Sequence, residues 1–234
     1  MNNVLRTPIS ESQWISYKNA GAVAKAVCDA IRIAEKAAIE EHGAFKIVLA
    51  GGTTPKHIYQ LLAKEKHDWE HWHVYLGDER CLPVDDPERN SLMIQENFLD
   101  HVDIPKDQIH MIPAELGAEK AAQVYATTIK DVLPFDLVLL GMGEDGHTAS
   151  LFPQHKNPSN TFVHAVYDAP KPPVHRVSMS IQCLSNTIVA FLIITGKSKQ
   201  QAIGTWRTGE DLPIAYISAK ESLKVMLDHD ALGI

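Results

Sequence analysis

The chain has 234 residues, 45% of them apolar, enough to bury a substantial core as a single α/β domain over residues 1–234. Its 29 acidic residues against 22 basic ones give a net charge of -7. That balance argues against a general affinity for nucleic acid or anionic membrane, and it leaves any anionic substrate to be held by local cations.

Cys28, Cys81 and Cys183 are widely spaced and form no C-x-x-C pattern, so neither a disulfide framework nor a structural zinc site is expected. They read as free thiols in a reducing cytoplasm. The stretch MNNVLRTPIS lacks the apolar core of a signal peptide. The longest apolar run, residues 188–194, is too short to span a bilayer and reads as a central strand.

In chain order, an irregular start gives way to residues 20–41. There Val23, Ala24, Val27, Ile31, Ala34 and Ala38 recur at helical spacing, with Lys25, Asp29, Arg32 and Lys36 elsewhere on the cylinder. Gly43 ends this long amphipathic helix. Residues 46–50, KIVLA, form a strand that runs into Gly51-Gly52-Thr53-Thr54-Pro55, after which Ile58, Leu61 and Leu62 resume helical spacing. Thr54 reads as an N-cap and Pro55 as the first helical residue. Two glycines, two hydroxyls and a helix N-terminus put backbone N–H groups and a positive dipole end in one place, which suits a phosphate. The Gly-Lys-Thr/Ser of a Walker loop is absent, and an ordinary strand-to-helix turn would give the same local pattern.

Residues 72–76 form a second strand, ended by Gly77-Asp78-Glu79-Arg80. Asp78 and Glu79 fit as turn caps, while Arg80 at a strand's carboxyl end can bind an oxyanion bidentately. His71 and His73 share one face at a spacing that could chelate a metal, but nothing nearby is expected to supply a third ligand, and no metal is expected. Residues 83–90 are a proline-bearing polar loop expected to rim a site. Residues 91–98 and 118–132 return to helical spacing, with a short strand at 108–112 between them.

The central stretch is residues 135–153, FDLVLLGMGEDGHTASLFP. Its nearly unbroken apolar start suits a strand buried on both faces of a parallel sheet. Gly141, Gly143 and Gly146 then permit a tight turn and close approach to a ligand, with His147 at the edge where open α/β sheets put their sites. The same glycines satisfy G-x-G-x-x-G, with Asp168 roughly 20 residues further on. A dinucleotide site needs a long helix opening at the third glycine, and Pro153 closes any helix within about two turns, so that reading is set aside.

Beyond it, residues 162–167 and 176–181 are strand-like around a proline-rich segment, and residues 188–195 form a buried strand before Gly196-Lys-Ser-Lys199 opens a helix. Residues 212–217 read as an edge strand and Leu223 onward as a terminal segment. Strands alternating with helices, without internal repeats, point to a doubly wound sheet.

The blocks LAGGTTPKHIYQLL, YLGDERCLPVDDPERNS, FDLVLLGMGEDGHTASLFP, PPVHRVSMS and FLIITGKSK, with a closing Leu227-Asp228, occur in order over nearly the whole chain. On these blocks the chain resembles the 6-phosphogluconolactonases. The resemblance implies a three-layer α/β/α sandwich with a mostly parallel doubly wound sheet, shared with glucosamine-6-phosphate deaminases and ribose-5-phosphate isomerases. It implies hydrolysis of 6-phospho-D-glucono-1,5-lactone to 6-phospho-D-gluconate in the oxidative pentose phosphate pathway, without cofactor or metal. The segments DGHTASLFP and GDER side with the lactonases against the deaminases.

The resemblance names His147 as general base and then acid, with Asp145 or Glu144 orienting its ring, and Arg80 beside them. For the phosphate it points to Gly51, Gly52, Thr53, Thr54, Arg80, Arg176 and Lys199, with Lys197 competing for the last place. The expected partner is a sugar-phosphate lactone, with no nucleic acid and no membrane, for a cytoplasmic monomer or small homo-oligomer. The competing functions are a glucosamine-6-phosphate deaminase or isomerase, and a sugar-phosphate sensor; the sequence has no basic helix-turn-helix of the kind a sensor appends.

Overall fold

The computed structural model describes residues 13–158 and 160–234. The chain alternates β1 (Trp14–Tyr17), α1 (Ala20–His42), β2 (Phe45–Leu49), α2 (Thr53–Leu62), β3 (Trp72–Leu76), β4 (Asp78–Arg80), α3 (Asn90–Asn97), β5 (Ile109–His110) and α4 (Ala118–Ile129). It continues through β6 (Phe135–Gly141), β7 (Val163–Val166), β8 (Arg176–Met179), α5 (Ile181–Leu184), β9 (Thr187–Ile194), α6 (Gln200–Arg207), β10 (Ser222–Asp228) and α7 (His229–Leu232). Among the described residues seven strands make one wholly parallel sheet in the order β1-β10-β9-β6-β2-β3-β5, with helices on both sides. The remaining three, β4-β8-β7, form a small antiparallel sheet.

Local sequence explains the main elements. In β6 the residues from Phe135 to Leu140 are all buried, as a strand covered on both faces requires. Removing one such side chain from water stabilises by about 2 kcal/mol. Its one polar member, Asp136, accepts the Lys46 backbone N–H at 2.7 Å and meets His42 at 2.9 Å. Helix α1 starts where the Asn19 side chain accepts the Ala22 N–H at 2.9 Å, buries Val23, Val27, Ile31 and Ala38, and ends at Gly43 with φ 78°. Glu35, on the same face, is buried because its carboxylate accepts from Trp72 Nε1 and Asp68 N, both at 2.8 Å, and meets His67 Nδ1 at 2.5 Å.

Several expectations are corrected. Gly52, not Thr54, is the N-cap of α2, which begins at Thr53, so Pro55 is its third residue. Gly77 to Arg80 is not merely a turn: Asp78–Arg80 is a strand paired antiparallel with β8. Residues 212–217 are no edge strand; Pro213–Tyr216 is a 3-10 helix started by its proline and buried through Ala215. The segment after Leu223 includes β10, an interior strand between β1 and β9. The irregular start includes the edge strand β1, and the leader reading of residues 1–12 lies outside the described residues. The three cysteines are free. Among the described residues no helix is long and apolar enough to cross a membrane.

His164 on β7 is buried and its Nδ1 has no hydrogen-bond partner among the described residues, so burial pushes its imidazole down to about 4. The folded state thus takes up this proton less readily than the unfolded chain, whose histidine titrates near 6.5. Stability from the neutral ring is full above that pH and is lost as pH falls towards 4, on the order of 1–3 kcal/mol. Denaturant unfolding of wild type and His164→Phe at pH 7 and pH 4 should show the larger acid loss in the wild type; equal losses would contradict the assignment.

Candidate active site

The order of strands reverses between β2 and β6: from β2 the sheet runs to β3 and β5, from β6 to β9 and β10. The connections leaving two adjacent parallel strands then diverge, opening a crevice at their carboxyl ends. Both glycine-rich segments of the sequence leave the sheet here. They share one cleft of about 290 Å³, lined by Gly51 and Gly52 on one side, by Gly143 and His147 on another, and by Asp78 and Arg80.

After β2, a Cβ on Gly51 would lie 1.9 Å from Asn90 Oδ1, so glycine is what lets Asn90 cross the turn. Gly52, at φ 108°, turns the backbone into α2. Thr53 lines a second, adjoining cleft with Lys56 and Arg80 rather than the first. Thr54 lines neither; its hydroxyl is 2.6 Å from that of Thr195 at the end of β9, which removes it from the expected anion cradle.

After β6, Gly143 N–H donates to the His147 carbonyl at 2.8 Å and Gly146 N–H to the Gly143 carbonyl at 3.1 Å, closing a tight turn. A Cβ on Gly143 would lie 2.0 Å from His147 Nδ1, so the turn has room for the ring only without a side chain there. His147 Nδ1 is 2.5 Å from Asp145 Oδ1, and Phe152 packs on the ring at 4.8 Å between centroids. Asp145, and not Glu144, therefore holds the imidazole, while the exposed Glu144 lines the cleft.

Burial is the largest influence on His147 and lowers its pKa below the ordinary 6.5, outweighing the pull of Asp145 in the other direction. Burial works against the charge of Asp145 too, but the imidazole's field and hydrogen bond more than offset it, and this carboxyl titrates below its usual range. At neutral pH the pair is thus a carboxylate facing a neutral ring. The Nδ1 proton points at Asp145, and the lone pair is left on Nε2.

Among the described residues four cationic side chains line the cleft: Arg80, Arg176, Lys199 and Lys171. Arg80 donates through Nη1 to the Glu88 carbonyl, and its buried Nε has no partner among the described residues. Arg176 is less free than expected. Its Nε donates to the Pro173 carbonyl at 2.9 Å, its Nη2 to those of Lys171 and Pro172 at 2.9 and 3.3 Å, and it stacks over Phe152 at 5.4 Å. That leaves chiefly Nη1 for a ligand. Lys199 reaches the cleft and Lys197 does not; burial, with Lys171 nearby, pulls Lys199 below the ordinary lysine range.

Lys171 and Asp78 escaped the sequence reading as site residues, and only the proline-rich composition around Lys171 marked its segment at all; Asn90 lines the cleft at the end of the loop expected to rim it. Glu79 is not a turn cap. Fully buried, it accepts from the backbone N–H groups of Arg80 at 2.7 Å and of Asn90 and Ser91 at 2.8 Å. It also pairs with Arg89 at 3.4 Å, tying β4 to the start of α3. His71 gathers with Asp68 and Glu70 outside the cleft, and His73 instead stacks on His110.

A profile of the family "Glucosamine-6-phosphate isomerases/6-phosphogluconolactonase" matches residues 18–226. A Synechocystis protein named 6-phosphogluconolactonase is 36% identical over 218 residues, covering 88% of this chain and 90% of that one. The Arabidopsis thaliana protein named 6-phosphogluconolactonase 3, chloroplastic, is 33% identical over 213 residues, covering 82% of this chain. The chain spans 66% of that relative's length. The crystal structure of 6-phosphogluconolactonase from Thermotoga maritima superposes with a TM-score of 0.86 at 29% identity, over 92% of this chain and 98% of that one.

The pKa ordering is measurable by NMR titration of the His147 ring. It should titrate below 6.5 in the wild type and lower still in Asp145→Asn, because the carboxylate that favours imidazolium has gone while burial remains. An Asp145→Asn ring that titrates higher would contradict the pairing.

Proposed function

The chain belongs to the glucosamine-6-phosphate isomerase/6-phosphogluconolactonase family, and from that premise we propose that it hydrolyses 6-phospho-D-glucono-1,5-lactone to 6-phospho-D-gluconate, in the oxidative pentose phosphate pathway. The observation that carries the reading is one cleft holding both a neutral imidazole braced by a carboxylate and a group of cations beside a helix start.

A δ-lactone is an activated ester, so its opening needs a base for water, donors for the developing oxyanion, and an acid for the departing ring oxygen. His147 Nε2 takes a proton as water oxygen bonds to C1, and the carbonyl electrons move onto oxygen. Asp145 stabilises the imidazolium through Nδ1. When the tetrahedral intermediate collapses, the bond from C1 to the ring oxygen breaks and the same Nε2–H protonates that oxygen, returning the imidazole to its neutral form. A base held below the ordinary 6.5 by burial is neutral and ready to take a proton at pH 7, and the imidazolium it forms returns that proton readily.

The substrate's phosphate carries nearly two negative charges into an acidic protein, so its binding rests on focused groups. Gly51, Gly52 and Thr53 at the start of α2 offer backbone N–H groups and the dipole of a ten-residue helix. Arg80, Lys199 and the remaining donor of Arg176 supply charge.

His147→Gln should lower kcat by about 10²–10⁴-fold above the spontaneous opening rate while leaving the affinity for 6-phosphogluconate nearly unchanged. Full activity in that variant would reject the assignment. Arg80→Ala should raise KM if the guanidinium grips phosphate equally in ground and transition states. An unchanged KM with a collapsed kcat would move Arg80 to the oxyanion. Ammonia release from glucosamine 6-phosphate, assayed alongside, would favour the deaminase function.

A further inference from the structure

We propose that Asp78 is the part of the cleft that receives the ring hydroxyls of the substrate, and that it thereby sets selectivity for a hydroxylated lactone. The proposal rests on the lactonase reading and adds a specificity determinant to it. Asp78 lines the cleft although only 7% of it is exposed. A buried carboxylate is ordinarily paired with a cation, because leaving charge unsatisfied away from water is costly. Among the described residues Asp78 has neutral hydrogen-bond donors instead: Asn90 Nδ2 at 3.2 Å from Oδ1 and Ser150 Oγ at 2.6 Å from Oδ2.

These two donors fill about half of a carboxylate's four lone-pair positions. Asn90 is fixed in turn, donating also to the Asp78 carbonyl at 3.0 Å, with its backbone N–H held by Glu79. Ser150 belongs to the loop that carries His147, and its N–H donates to Ser178 Oγ at 3.2 Å. The carboxylate is therefore held rigidly from both sides.

The chemistry of what Asp78 can take follows from its being acceptor-only. It repels the phosphate, and it binds O–H donors by charge-assisted bonds. Of the other acids lining or bordering the cleft, Asp145 is committed to His147 and Glu144 is exposed, so Asp78 is the buried acceptor open to a sugar. With cations around the same cleft, one substrate orientation satisfies both signs: hydroxyls on Asp78, phosphate away from it. A site built to bind a hydroxyl discriminates against the analogue lacking it, because its buried acceptor is left unpaired.

The test is kcat/KM for wild type and Asp78→Asn on the parent 6-phosphogluconolactone and its 2-, 3- and 4-deoxy analogues. The wild type should prefer the parent over at least one analogue by about 10- to 100-fold. Asp78→Asn should lose most of that preference, and the acid limb set by His147 should move down, because one of the negative charges that favour its imidazolium has gone. Wild-type turnover without discrimination, or an Asp78→Asn loss equal on every lactone, overturns the assignment. If Asp78→Asn does not fold, Ser150→Ala replaces it. With its Oδ2 donor removed, the carboxylate must change its discrimination by at least about threefold, and an unchanged preference overturns the proposal. Wild type that opens none of the lactones would instead overturn the lactonase reading itself.

Discussion

The site depends on the adjacency of β2 and β6 in the parallel sheet, set by the pairing of Ile47 with Leu137 and Val48 with Val138. These strands are far apart in sequence but neighbours in space, and the chain leaves them towards opposite sides of the sheet. Parallel pairing brings both carboxyl ends to one edge, and the diverging connections keep that edge uncovered. A glycine-rich helix start and a histidine turn, neither sufficient alone, become two walls of one cleft. The small antiparallel sheet completes it, because pairing of Arg80 with Arg176 carries two guanidinium groups across the same edge.

Electrostatics inside the cleft runs against the chain's overall sign. A net charge of -7 would discourage an anionic ligand, and the cations that line the cleft act locally, where low dielectric and short range count most. Burial and Asp145 oppose one another at His147, and burial prevails, which leaves a neutral base with a defined tautomer. Behind this layer the Glu79 carboxylate braces Arg80 and Asn90 through their backbone N–H groups. A fully buried carboxylate with that many donors fixes geometry more than it adds stability, since desolvation offsets much of its attraction.

Much of this architecture was legible in the sequence where one physical signal dominated. The apolar run of β6 and the helical spacing of α1 each give a single reading, and the failure of any helix to follow Gly146 could be inferred from Pro153. Misreadings came where tertiary contacts decide. Leu212 to Ile217 is apolar enough for a strand, yet Leu212 packs over Gly146, where a Cβ would meet it at 2.7 Å, and Pro213 fits the first turn of a 3-10 helix. Strand β4 reads Asp-Glu-Arg, with no apolar alternation, and exists because β8 pairs with it. Thr54 has the chemistry of an N-cap, but Thr195, just past the end of β9, takes its hydroxyl. The cluster of Asp78, Asn90 and Ser150 draws on three separate segments, and no spacing rule announces it.

A crystal structure with 6-phosphogluconate bound tests the shared edge most directly. The phosphate should lie on the Gly51–Gly52 turn near Arg80, with the C1 carboxylate within hydrogen-bond reach of His147 Nε2. A product whose C1 end lies away from the imidazole, or one bound outside this cleft, would contradict it.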